Sequence, residues 1–165
     1  MRSLVLCALV ALIFATPAAA QCPSGMEPGT IAVIQHKQKL CFMEDNGAVS
    51  VFDVATGRDG FTWTGVQHVS NKKEWPDWTP TPAMLKRDKY LPPFMAGGPG
   101  NPLGAAALYL GSTEYRIHGT NSKSSIGHAI SSGCIRMRNE DIRILYNKVR
   151  TSTKWQSGTK VTMYK

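Results

Sequence analysis

Seven of the ten prolines fall in the 29 residues "EWPDWTPTPAMLKRDKYLPPFMAGGPGNP", Glu74 to Pro102, and this segment limits the fold more than any other feature. Proline fixes φ and has no N–H to donate, so no long helix and no central strand runs through it. Taken with the residues from Thr62 onward, the stretch reads as a long connecting loop over 62–102. A loop of this length in a compact domain is functional or disordered. Trp75, Trp78, Tyr90 and Phe94 carry large apolar surfaces, which argues for an ordered, aromatic-lined loop.

On either side of this segment the sequence falls into short strand-like runs. "TIAVIQHKQKLCF" (30–42) and "AVSVFDVATG" (48–57) flank Asn46-Gly47, a strong hairpin-turn signal, and are expected to form two antiparallel strands. His36, between lysines on the first of these, reads as a solvated strand residue. "GAAALYLG", "EYRIHGT" and the closing "GTKVTMY" are further short strands. "RNEDIRILYNKVR" is different. Ile142, Leu145, Tyr146 and Val149 recur at helical spacing, Glu140 and Asp141 suit a first turn, and Asn139 is the expected N-cap. There is no repeat of 20–50 residues to indicate a solenoid. The fold expected is therefore mainly β, a β-sandwich or partly closed barrel, with one late amphipathic helix and a long Pro/Trp-rich loop.

Residues 1–20, "MRSLVLCALVALIFATPAAA", combine one arginine, an apolar run and a small-residue cleavage pattern, and are read as an export signal peptide. Pro17 closes the run short of the roughly 20 apolar residues a retained span needs, so no stable membrane insertion is expected after cleavage. Residues 21–165 are then one domain, of a size that supports its own core. The formal charge of +8 becomes +7 once Arg2 is removed. A basic face attracts anionic polymers. No Lys/Arg block is interleaved with aromatics, which sets nucleic acid aside as a partner.

Of the four cysteines, Cys22, Cys41 and Cys134 remain after processing. An exported setting allows a Cys22–Cys41 bridge, which would leave Cys134 over. Cys22, Cys41 and His36 lack clustered ligand spacing, so no metal is expected. A working thiol needs a group that takes or offsets its proton, and His118, sixteen positions earlier, is the candidate. Gly119 and Thr120 allow a sharp turn whose carbonyl would hold one ring nitrogen while the other faces sulfur. Gly133 permits close backbone approach, and amides of the Ser132–Cys134 turn are candidate oxyanion donors. If "CIRM" is extended, Cys134 and Arg136 share a face, placing Arg136 beside the sulfur to favour thiolate or to bind a carboxylate.

The runs "IHGT", "SSIG" and "SSGCIRM", with "WTPTPAML", "GGPGNPLG" and "GTKV" around them, closely resemble the L,D-transpeptidase catalytic domain of the YkuD type, over roughly Gly29 to Met163. The resemblance implies an exported enzyme of the periplasm or cell wall with no cofactor. Its cysteine attacks the third residue of a peptidoglycan stem tetrapeptide, releases D-alanine, holds the peptide as a thioester and passes it to an amine on a second stem or on a wall-anchored acceptor protein. It implies Cys134 as nucleophile, His118 as base and acid, and Gly119 as the residue whose carbonyl orients His118. Arg136, Ser131, Ser132, Gly133 and Thr120 are expected at the substrate. Many members carry histidine directly before the Gly-Cys pair; here Ser132 stands there. Hydrolysis through the same thioester and a non-catalytic wall-binding module are the competing readings.

Overall fold

A computed structural model describes residues 19–165, so the expected signal peptide lies, apart from its last two residues, outside the described part of the chain. Nine strands run in chain order: β1 (Ile31–Ile34), β2 (Lys39–Met43), β3 (Val49–Gly57), β4 (Gly65–Glu74), β5 (Ala106–Leu110), β6 (Arg116–His118), β7 (Ala129–Ser131), β8 (Ile135–Met137) and β9 (Lys160–Tyr164). Their lateral order is β2-β1-β9-β4-β5-β6-β8-β3-β7, and β2 also pairs with β3. The pairing β2–β3 closes the first eight into a barrel, with β7 appended to the end of β3. Closure removes the exposed edges that a sheet of short strands would otherwise present.

The barrel interior is built from alternating residues. Val33, Leu40, Val54, Val69, Leu108, Leu110, Ile117, Ile135, Met137 and Val161 all have 0% exposure, and the late helix α2 (Asn139–Lys148) adds Ile142 and Leu145. β1 is buried on both faces. Ile31 and Val33 enter the main core, while Ala32 and Ile34 join Cys41, Cys22, Met26, Val49 and Val51 in a second cluster. The Cys22–Cys41 disulfide lies inside that second cluster and fastens the amino-terminal segment to β2.

Three expectations are corrected. The run 30–42 is not one strand: a 3-10 turn at Gln35–Lys37 and a left-handed Gln38 (φ 48°) fold it into the β1–β2 hairpin. The mixed polar "QHKQK" carries no turn residue that announces this. His36 is exposed there, its Nδ1 bonded to the Lys165 carbonyl.

The long loop begins at Trp75 rather than Thr62, because 65–74 form β4. That strand has a single fully buried side chain, Val69, and is held by backbone ladders to β9 and β5 on either side. Its apolar pattern is therefore too thin to read. What remains, Trp75 to Gly104, is an ordered strap with the short helix α1 (Pro82–Arg87) at its centre. Paired backbone bonds between Trp78 and Met95 fasten the strap, and the Asn101 amide donates to the Met95 and Ala96 carbonyls.

The third correction concerns Asn139. Arg138 is the N-cap of α2, with no side-chain capping bond, and Asn139 is the first helical residue. The Asn139 Oδ1 accepts from the backbone N–H groups of Ala105 (3.0 Å) and Thr120 (3.1 Å). Gly104 is required beside it: at φ +63° an added Cβ would lie 2.2 Å from that oxygen and 2.4 Å from the Thr120 nitrogen.

Candidate active site

β6 and β8 lie side by side and parallel, with Ile117 opposite Ile135 and His118 opposite Arg136. Period-2 alternation does the rest. Ile117, Ile135 and Met137 point into the core, and the opposite face carries Arg116, His118, Cys134 and Arg136. These four line a cavity of about 610 Å³, whose other walls come from Tyr115 and from the strap, through residues including Trp78, Met84, Arg87 and Leu103. Two residues separated by sixteen positions thus line one cavity, because His118 ends β6 and Cys134 directly precedes the parallel neighbour β8.

His118 is only 4% exposed, and its Nδ1 lies 2.5 Å from the Gly119 carbonyl oxygen. A carbonyl only accepts, so Nδ1 carries the proton and donates it; Nε2 is left with a free lone pair. Burial lowers the imidazole pKa to about 4. The Gly119 bond opposes this, and the positive charges of Arg136 and Arg116 reinforce it. At neutral pH His118 is therefore an uncharged base.

The Cys134 thiol is pushed above the usual thiol range by burial, against the pull of Arg116 and Arg136. The resting pair is thiol and neutral imidazole, not thiolate and imidazolium. The Sγ lies 3.8 Å from the Glu114 carbonyl, and the Arg116 backbone N–H and guanidinium both pull its pKa down against burial.

The turn before Cys134 is shaped by buried hydrogen bonds. Ser131 Oγ donates to the Cys134 carbonyl (2.6 Å) and accepts from the Gly133 N–H (3.1 Å), so the Gly133 amide is already engaged within the turn. Gly133 sits at φ +107°, where a Cβ would come 2.6 Å from the Tyr115 ring; Trp63, stacked on Tyr115, donates its indole N–H to the Gly133 carbonyl.

Of the residues expected at the substrate, Arg136, Ser131 and Ser132 line the cavity with Cys134 and His118; Thr120 and Gly133 do not. Thr120 is 2% exposed and its hydroxyl accepts from the Ser122 N–H. Arg116, Tyr115 and Trp63 were not among the expected residues. Arg116 was within reach of the same alternation that places Arg136 beside Cys134, since it precedes His118 by two. For Trp63 and Tyr115 no local pattern points to the turn they support. His36, His68 and His128 do not line the cavity.

A family model described as the L,D-transpeptidase catalytic domain (YkuD) matches residues 28–163. The chain belongs to the L,D-transpeptidase catalytic-domain family. It is 37% identical over 142 residues to the probable L,D-transpeptidase ErfK/SrfK of Escherichia coli (strain K12), covering 81% of this chain and 45% of that protein. It is 34% identical over 135 residues to the putative L,D-transpeptidase YqjB of Bacillus subtilis (strain 168), covering 77% and 70%. The chain spans about half the length of the Escherichia coli relatives it matches.

Among solved structures it is similar to L,D-transpeptidase 3 from Mycobacterium tuberculosis, with a TM-score of 0.63, 16% identity and coverage of 82% of this chain and 60% of that one. An L,D-transpeptidase from Mycobacterium smegmatis gives a TM-score of 0.62 at 14% identity, covering 82% and 58%. At such identities the likeness is one of fold. The mainly β, barrel-like architecture is thus the L,D-transpeptidase fold.

Proposed function

We propose that the chain is a cysteine-dependent L,D-transpeptidase acting on peptidoglycan stem tetrapeptides. The observation that carries this reading is the bond from His118 Nδ1 to the Gly119 carbonyl, which leaves Nε2 as a neutral base in the cavity that also holds the Cys134 thiol.

Cys134 Sγ bonds to the carbonyl carbon of the third stem residue while its proton passes to His118 Nε2. Arg116 and Arg136 bring positive charge to the developing oxyanion. The C–N bond to the terminal D-alanine breaks, and His118 returns the proton to the leaving amine. An acceptor amine then attacks the thioester, giving its proton to His118. The C–S bond breaks, and the thiolate recovers that proton.

The acceptor is a second stem peptide, forming a 3-3 cross-link, or an amine of a wall-anchored protein. The site of action is the exported compartment. The signal-like residues 1–20 and the Cys22–Cys41 disulfide support this, because such bridges persist under oxidising conditions.

Incubation with tetrapeptide-bearing muropeptides, followed by mass analysis, tests the proposal. Cross-linked dimers with release of D-alanine are expected; trimmed monomers alone would reassign the enzyme to hydrolysis. Neither product, together with no acyl adduct on Cys134, would refute the thioester route.

A further inference from the structure

The cavity is strongly unbalanced in charge. Its lining carries Lys86, Arg87, Arg116 and Arg136 against one acid, Glu114. Arg116 and Arg136 flank the sulfur and act on both Cys134 and His118. Arg87 does neither, and its partner in the structure is unexpected. Its Nη2 donates to Ser132 Oγ at 3.3 Å, and the same oxygen accepts from Arg58 Nη1, also at 3.3 Å; that nitrogen donates as well to the neutral Ser131 carbonyl at 3.4 Å.

Both guanidiniums also lie over one aromatic ring, that of Phe61, at 3.9 Å for Arg58 and 5.9 Å for Arg87. Among the described residues neither arginine is in an ion pair. Two like charges drawn to one hydroxyl, two residues from the nucleophile and with no carboxylate between them, form an arrangement that lacks its counter-charge. A neutral hydroxyl does not neutralise even one guanidinium, whereas a carboxylate accepts from two at once.

We infer that Arg58, Arg87 and Ser132 form a carboxylate-binding clamp that selects donor peptides carrying a free acid group. The inference rests on the peptide-thioester reading and adds a specificity determinant to it. Arg58 comes from the segment after β3 and Arg87 from the end of α1 on the strap, so the clamp joins these two segments at Ser132 and Phe61, which line the cavity with Arg87. A bound carboxylate would replace the shared hydroxyl as acceptor and hold α1 over the peptide. The Phe61 face holds both planar cations in place meanwhile. The residue before the Gly-Cys pair, where many family members carry histidine, here carries the small hydroxyl that two arginines share.

The test uses the full chain carrying Cys134→Ala, which binds without turnover, and calorimetry with a stem tetrapeptide. The peptide is supplied with all carboxylates free, and again with each converted in turn to a carboxamide. One carboxamide form is expected to bind about 10-fold more weakly or worse, the loss of a charge-assisted pair. With Arg58→Gln and Arg87→Gln added, the free-acid peptide is expected to fall to the affinity of that carboxamide, whose own affinity stays within about twofold. In the chain with Cys134 intact, the same double substitution should raise KM about 10-fold and leave kcat within about twofold.

Equal binding of acid and carboxamide forms before the arginines are changed overturns the clamp. So does discrimination that survives in the double variant, an equal loss for both forms, or failure of every form to bind. Failure of the thioester reading is seen separately, as absence of acyl adduct and product in the unaltered enzyme whatever the calorimetry shows.

Discussion

The two walls of the one cavity are made differently. The barrel wall places Arg116, His118 and Arg136 on two short parallel strands, with Cys134 directly before the second, and their alternate residues Ile117, Ile135 and Met137 have no exposure at all. The strap wall is a proline-rich segment whose helix α1 buries no residue, and whose Tyr90 and Phe94 are 85% and 56% exposed. It is fastened internally by the Trp78–Met95 pair and the Asn101 amide, and to the rest of the chain by the Asn121 amide on the Gly100 carbonyl and by Arg143 over the Trp75 ring. The proposed reacting groups stand on the part whose displacement would open the core, and the rest of the cavity lining lies largely on the exposed strap. Active sites are commonly divided this way, with chemistry on rigid elements and recognition on loops.

The sharpest way to break that contrast is at the reacting pair. Cys134→Ala is expected to abolish transfer and His118→Ala to lower it by about 10³-fold or more, as measured in the muropeptide assay. Turnover in the Cys134→Ala chain would remove the barrel wall from the chemistry altogether.

The pH dependence separates the walls next. With His118 titrating at about 4 in the folded chain, the acid limb of kcat/KM should lie near pH 4 and not near 6.5. The unfolded chain takes up the same proton first, near pH 6.5. His118's contribution to stability is therefore complete above that value and lost as pH falls through about 4, roughly 3 kcal/mol in all. Thermal melts of the unaltered chain and of His118→Gln between pH 4 and 7 would show this slope, and its loss in the variant. An acid limb at 6.5 would contradict the buried neutral base.

Opening the disulfide by Cys22→Ser is expected to lower stability by about 3 kcal/mol, for a bridge spanning 19 residues, and to leave kcat unchanged. Asn139→Ala should lower stability by about 2 kcal/mol, because two backbone N–H groups lose their acceptor, and should reduce kcat more than it alters KM. At the small end, Tyr90→Ala and Phe94→Ala on the strap should change stability by less than about 0.5 kcal/mol in a denaturant titration.

What was legible in the sequence follows the same division. The proposed nucleophile, its proposed base and Arg136 belong to local patterns, a His-Gly turn and a Gly-Cys-Ile-Arg run, and alternation alone assigns the faces of the second. The mainly β character and the late helix are legible too, since Ile142, Leu145 and Val149 repeat at helical spacing over an apolar core. The hidden features are those that act across distance. β4 was lost in the loop because ladders on both sides do the work that apolar side chains do elsewhere. Asn139 looks like a helix cap because that is the commonest use of asparagine before an acidic turn, and the two amides it serves instead belong to segments 19 and 34 residues away. Arg58 and Arg87 come together, on the Ser132 hydroxyl and over the Phe61 ring, only in the folded chain.

The oxygen of Asn139 has a wider consequence. It ties the strand leaving the strap, the turn behind the imidazole and the first residue of α2 to a single atom, with Gly104 leaving no room for an alternative packing. Anyone transplanting the strap of a relative onto this barrel would have to carry Gly104 and Ala105 intact with the graft. A splice placed one residue off would shift His118, the proposed base, although every proposed site residue remained in the sequence.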